Sequence, residues 1–336
     1  MKRTLSFDDV LLVPQYSDIQ SRTEEVDLSS SLGKIELKLP IISSPMDTVT
    51  EDAMVVKMSQ AGGLGVLHRY NSIGDQRNLA YLCEGENIGA AIGVSGDYLA
   101  RARTLIDAGV QVLCVDIAHG HHVLMRHALQ TLRNTFGYDI HIMAGNVATL
   151  DGVCDLYDWG ANSVRVGIGG GSICSTRIQT GHGVPTLQSI IECAKTDRDV
   201  TIIADGGIRN SGDICKALAA GADFVMLGSM LSGTDESPGE KHYNSRTAKF
   251  YKAYRGMASV EAQIDWRGHT SSVEGVASTV DYKGPVQRVL DDISRGVRSG
   301  LSYSGARNIR EFQAKSRMVQ ITTSGMAESK THILNT

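Results

Sequence analysis

Eight short apolar runs recur along the chain, at residues 40–46, 63–68, 88–94, 112–118, 140–147, 163–169, 201–205 and 223–229. They are rich in branched residues and lack alternation of apolar with polar positions, the pattern of strands buried on both faces. Between them lie segments of helical period at 51–60, 98–108, 123–136, 152–159, 186–194 and 211–219. Strand alternating with helix describes parallel βαβ units. Eight units in succession predict a closed (β/α)8 TIM barrel, an α/β fold that leaves no strand at an edge.

Composition agrees. The 336 residues include 36 glycines and 6 prolines, as many tight strand-to-helix turns require. The formal charge is only -4 and no block of Lys and Arg stands out, so nucleic acid and anionic membranes are not expected partners. No run reaches the roughly 18 apolar residues of a membrane helix. The start meets charge at residue 2 and paired aspartates at 8 and 9 with no apolar stretch between, so no secretory leader is read there and a cytoplasmic location is expected. Six cysteines, about twenty residues or more apart, show no zinc or disulfide spacing. Five are expected to be small core residues. Cys174 is the exception.

Polar residues and glycines collect where the expected strands end: Asp47, His68, Asp116, His119, Asn146, residues 169–172 and 205–207, Gly228 and Ser229. Barrels place their chemistry on that face. The segment GIGGGSICSTRIQTGHG (167–183) sets four glycines shortly before Cys174. Backbone N–H groups can then approach a ligand, and the thiol sits on a loop as a candidate nucleophile, with Arg177 near enough in sequence to favour its anion. Asp205-Gly206-Gly207 and Gly228-Ser229 follow the seventh and eighth strands, the two loops where barrels build phosphate sites. Residues 256–282, polar and poor in periodicity, read as a long mobile flap over the same face, and 318–336 as a C-terminal tail. His119, His121 and His122 form a cluster whose spacing, without a carboxylate in obvious register, does not suggest a metal. It is expected to face a cofactor channel.

Taken in order, LSFDDVLLVP (5–14), SSPMDTVTE (43–51), GGLGVLHR (62–69), VDIAHGH (115–121), AGNVAT (144–149), VGIGGGSICSTR (166–177), ADGGIRNSGDICKALAAGADFVMLGSML (204–231) and YRGMAS (254–259) make the chain resemble the IMP dehydrogenase and GMP reductase family. The resemblance implies chemistry at carbon 2 of a purine mononucleotide with a nicotinamide cofactor, through a covalent cysteine adduct. It makes Cys174 the nucleophile and Thr176 its proton-handling neighbour. Ser172, Asp205, Gly206, Gly207, Gly228, Ser229 and Tyr254 would hold the ribose phosphate, Ser44 and Met46 would lie beneath the base, and Gly256 and Met257 near its edge. Asp116 and Asn146 would face the nicotinamide and the reacting base, with Ala118 and His119 on the cofactor side. The carbonyls of Gly169, Gly171 and Cys174 match a monovalent-cation (K+) site, completed in some members by a neighbour's tail, here 328–330. Gly170 stands where the family usually has proline, which implies a looser loop. A homotetramer is the family's habit.

The resemblance also bears on which reaction is run. The dehydrogenases carry an Arg-Tyr pair on the flap to activate water. Here the flap holds one arginine, Arg267, followed by glycine, and no tyrosine before Tyr282. Glu274, in SVEGV, matches with Thr176 the glutamate and threonine of the reductases. Only residues 70–87 join the second and third strands, where the dehydrogenases generally insert a pair of regulatory modules. The tail SGMAESKTH (324–332) looks more like bacterial dehydrogenases. The expectation is a GMP reductase using NADPH, with a dehydrogenase lacking the insert or an inactive nucleotide-binding barrel as alternatives.

Overall fold

The computed structural model describes residues 3–331; the last five positions of the expected tail, 332–336, lie outside the described residues. The eight expected strands form as β1 (Ile41–Ser43), β2 (Leu64–Leu67), β3 (Ile88–Ile92), β4 (Val112–Asp116), β5 (His141–Val147), β6 (Ser163–Val166), β7 (Thr201–Asp205) and β8 (Phe224–Leu227). They close in sequence order into a parallel barrel, with β8 pairing back onto β1 through Val225–Ile41 and Met226–Ile42. Each strand is almost wholly buried, because one face lines the barrel interior and the other is covered by helices.

The surrounding helices are α1 (Asp52–Gln60), α2 (Ile73–Leu82), α3 (Tyr98–Asp107), α4 (Val123–Phe136), α5 (Leu150–Asp158), α6 (Thr186–Cys193), α7 (Ser211–Ala219) and α8 (Val286–Tyr303). In α4, Met125, Ala128, Leu129 and Leu132 make the buried stripe, the His122 ring accepts the Leu124 N–H at the start, and Gly137 ends the helix at φ 65°. In α8, Val286, Leu290, Ile293, Val297 and Leu301 face the barrel. Each such side chain, fully buried, contributes about 1.5–3 kcal/mol.

Two cores result. One lies between strands and helices. The other fills the barrel, where Ile42, Leu64, Val112, Met143, Ile203 and Phe224 meet Leu32 and Leu37. The last two belong to an antiparallel hairpin, Ser30–Leu32 with Ile35–Leu37, that plugs one end. The N-terminal strand Val10–Leu12 pairs antiparallel with Met318–Gln320 of the tail.

The segment after β8 corrects the expectation of an irregular flap. It carries a three-stranded antiparallel sheet, β9 (His242–Asn244), β10 (Lys249–Arg255) and β11 (Ala277–Asp281), with a helix over Val260–Arg267. Polarity hid this sheet: β9 is wholly exposed and β11 nearly so, so neither has an apolar face to signal a strand. Among the described residues, no helix is long and apolar enough to cross a membrane.

Candidate active site

The carboxyl ends of the strands open into a cavity of about 460 Å³, a size ordinary for a small-molecule site. Ser44 and Met46 after β1, Asp116 and Ala118 at β4, and Asn146 on β5 line it. So do Gly169, Gly171, Ser172, Cys174 and Thr176 after β6, Asp205, Gly206 and Gly207 after β7, and Gly228 and Ser229 after β8. The flap adds Tyr254, Gly256, Met257 and Glu274. His119 is the one expected site residue outside the lining. It is exposed, and partial desolvation together with His121, His122 and His182 nearby lowers its pKa. The histidine cluster also has a partner the spacing did not show: His121 Nε2 lies 2.7 Å from Asp155 Oδ2.

Glycine is required at particular points. Gly206 has φ +90°, and a Cβ there would stand 3.1 Å from the Gly171 amide nitrogen. At Gly228 a Cβ would approach Tyr254 Oη to 3.1 Å and Met46 Sδ to 3.2 Å. Side chains at either position would fill the cradle between the loops.

The Cys174 loop is docked by the flap. Ser175 N–H donates to the Glu274 carbonyl at 2.8 Å and Val276 N–H to Ile173 at 3.0 Å, so Cys174 and Gly275 form an isolated antiparallel bridge. The side chains follow: Cys174 Sγ–H faces Thr176 Oγ1 at 3.2 Å, and the Thr176 hydroxyl donates to Glu274 Oε2 at 2.8 Å. Arg177 does not serve the thiol as expected; its guanidinium donates to the Val184 carbonyl at 2.8 Å. Of the other cysteines, Cys83, Cys114, Cys193 and Cys215 are buried and Cys154 is half-buried. Burial pushes the Cys114 thiol up to about 12.

Sequence reasoning missed Arg165. Buried inside the barrel, it donates to Asp116 Oδ1 at 2.6 Å and to Asp205 Oδ2 at 2.9 Å. Burial works against its charge, yet Cys114, Asp116 and Asp205 hold its pKa well above the ordinary value. Asn146, which the resemblance turns toward the base, donates to Asp205 Oδ2 and to the Gly167 carbonyl, each at 2.9 Å. A charged residue inside the apolar run of β6, matched by Asp116 and Asp205 at the ends of β4 and β7, was the available signal.

The Tyr254 hydroxyl lies 3.3 Å from Ser172 Oγ, and burial raises its pKa. Met257 reaches back to the first strand's loop, its Sδ 3.3 Å from the Asp47 N–H. The space beside Gly170 is filled: a Cβ there would meet Thr186 Oγ1. That hydroxyl is buried and has no hydrogen-bond partner among the described residues. The Gly171 carbonyl, one of the three expected around a cation, accepts the Cys174 N–H at 3.2 Å. A carbonyl oxygen has a second lone pair, so this bond is compatible with a cation beside it.

A family model described as IMP dehydrogenase / GMP reductase domain matches residues 4–332. The inosine-5'-monophosphate dehydrogenase of Cryptosporidium parvum is 39% identical over 386 positions, covering 98% of this chain and 94% of the relative. The GMP reductase of Leishmania major is 32% identical over 477 positions, covering 98% and 96%. A cysteine-to-alanine variant of GMP reductase from Trypanosoma brucei, solved with guanosine 5'-monophosphate, superposes with a TM-score of 0.94 at 30% identity, covering 99% of this chain and 98% of that one. With the barrel and its cavity, these matches show that the chain is an oxidoreductase-type TIM barrel belonging to the IMP dehydrogenase / GMP reductase family, whose members act on purine nucleotides with a nicotinamide cofactor.

Proposed function

We propose that the chain is a GMP reductase, converting GMP and NADPH to IMP, ammonia and NADP+. The observation that carries this is the relay from Cys174 Sγ through Thr176 Oγ1 to Glu274 Oε2. A reductase needs a proton route to a leaving amine, and this relay supplies one. The only flap arginine between 256 and 282, Arg267, is bound within the flap, to Ser271 Oγ at 2.5 Å and to the His269 carbonyl at 3.2 Å.

In this reading the thiol passes its proton through Thr176 to Glu274 as sulfur bonds to carbon 2 of GMP. The relay then returns a proton to the departing amine, and the carbon–nitrogen bond breaks. The reduced nicotinamide supplies hydride to carbon 2 when bound. The carbon–sulfur bond then breaks with its electron pair returning to Cys174, and IMP leaves. Asp205, Gly206, Gly207, Gly228, Ser229, Ser172 and Tyr254 hold the ribose phosphate, and Ser44, Met46, Asn146, Gly256 and Met257 surround the base. Asp116 and Ala118 border the nicotinamide. Asp116 fits that duty because Arg165 holds its carboxylate in place at 2.6 Å. A potassium ion at the Gly169, Gly171 and Cys174 carbonyls and assembly as a cytoplasmic homotetramer belong to the same proposal, on the strength of the resemblance.

The second reading, IMP dehydrogenase, is favoured by the higher identity to the Cryptosporidium enzyme. The lack of a long insert does not separate the two, because the Leishmania reductase aligns over 477 positions and the Cryptosporidium dehydrogenase over 386. Absorbance at 340 nm decides: loss with GMP and NADPH marks the reductase, gain with IMP and NAD the dehydrogenase, and silence in both an inactive binding barrel. Cys174→Ala should abolish turnover and leave nucleotide binding measurable.

A further inference from the structure

Against the Gly228-Ser229 turn, outside the cavity lining, stands a lysine that the mechanism does not use. Lys283 Nζ donates to the Ser229 carbonyl at 2.5 Å and to the Met230 carbonyl at 3.1 Å. Its backbone N–H donates to the Gly233 carbonyl at 2.9 Å. No carboxylate pairs with it among the described residues, so its charge rests on backbone carbonyls alone. A second ammonium, that of buried Lys252 on β10, donates to the Thr234 carbonyl at 3.1 Å farther along the same segment.

Peptide planarity gives this arrangement a direction. Across a trans peptide the C=O of one residue and the N–H of the next point opposite ways. The Ser229 carbonyl faces Lys283 and the Ser232 hydroxyl, which donates to it at 2.9 Å, so the Met230 N–H points the other way, away from the lysine. The same lysine closes the flap strand: it follows β11, whose Ser278 pairs with Tyr254, and the loop before β11 carries Glu274.

We propose that Lys283 is a positioning residue for the nucleotide's phosphate. It clamps the Gly228-Ser229 turn from outside the cavity lining so that the turn's donors face the phosphate, and it ties that turn to the flap sheet that delivers Glu274. The inference rests on the reading of this turn as a phosphate site. An ammonium beside the turn also favours a dianion bound there; the residue is exposed overall, which screens it in part, while desolvation of the ammonium lowers its pKa.

The test is calorimetric titration of IMP and of inosine into the full chain, as wild type, Lys283→Met and Lys283→Arg. IMP is product in one reading of the reaction and substrate in the other, so the result does not depend on which holds. Lys283→Met should weaken IMP about tenfold, leave inosine within twofold, and raise KM for the nucleotide with little change in kcat. Lys283→Arg should keep IMP binding within about threefold, since it too can donate to carbonyls. A general loss of structure would weaken IMP and inosine alike; that result, or unchanged IMP binding in Lys283→Met, overturns the role of Lys283. A wild type that binds IMP no better than inosine overturns the phosphate site itself, and the inference with it. Should Lys283→Met not fold, Lys283→Gln gives the same comparison.

Discussion

The Thr176 hydroxyl donates to Glu274 Oε2 at 2.8 Å across a sequence separation of 98 residues, and this leaves its oxygen free to accept from Cys174. The thiol proton thus has a hydrogen-bonded way out, through two residues that act as a unit. Glu274→Gln and Thr176→Val are each expected to lower kcat by about 10²–10³-fold, within the range for general acid–base groups, with nucleotide affinity little changed. Because they share one path, the double variant should cost about what either single does. Additive losses in steady-state kinetics would break the relay into independent parts.

The buried cation of Arg165 holds two carboxylates from non-adjacent strands. Arg165→Met leaves Asp116 and Asp205 facing each other without it, and is expected to destabilise the fold by about 3–5 kcal/mol. Urea titration reads this as a lower midpoint. A midpoint equal to the wild type would mean that the carboxylates find other partners.

Thr186 occupies the space in front of Gly170. Gly170→Ala places a Cβ against Thr186 Oγ1, an overpacking expected to cost about 1–3 kcal/mol. Thr186→Ala removes that oxygen, which makes no hydrogen bond among the described residues, so the double variant should recover most of the loss. A thermal-shift cycle checks the coupling; no recovery would place the strain elsewhere in the loop.

His141 sits beneath the barrel, its Nε2 2.8 Å from Ser163 Oγ, and burial pushes its pKa down to about 4. In the unfolded chain an ordinary histidine titrates near 6.5. Between those values the unfolded state binds more protons, so stability falls as pH drops from about 6.5 to about 4, and is fully present above that window. The loss from this group is about 3 kcal/mol. Denaturation midpoints at pH 7 and pH 4.5 should differ less in His141→Gln than in the wild type, and equal slopes would assign the acid sensitivity to other groups.

The barrel was legible because its strands are apolar on both faces, so Ile88–Ile92 or Val112–Asp116 announce themselves without any turn chemistry. Most of the cavity was legible because glycines and short polar residues mark strand ends. Two kinds of feature escaped. β11 has no buried face to betray it, and α2, with only Gln76 and Ala80 buried, lacks the apolar stripe by which α4 was found. Arg165 was hidden differently: one charge inside an apolar run reads as an irregularity until Asp116 and Asp205 are seen across the barrel. Contacts of this kind are made by closure, which a linear pattern does not contain.

The flap sheet has an evolutionary consequence. Cys174 and Thr176 stay on the barrel, while Tyr254, Glu274 and Lys283 all arrive on one unbroken stretch of chain after the last strand. Exchanging that stretch would therefore change the proton handler and, with Tyr254 and Met257, one wall of the nucleotide pocket at the same time. Proton handling and nucleotide grip are thus carried as one cassette of sequence.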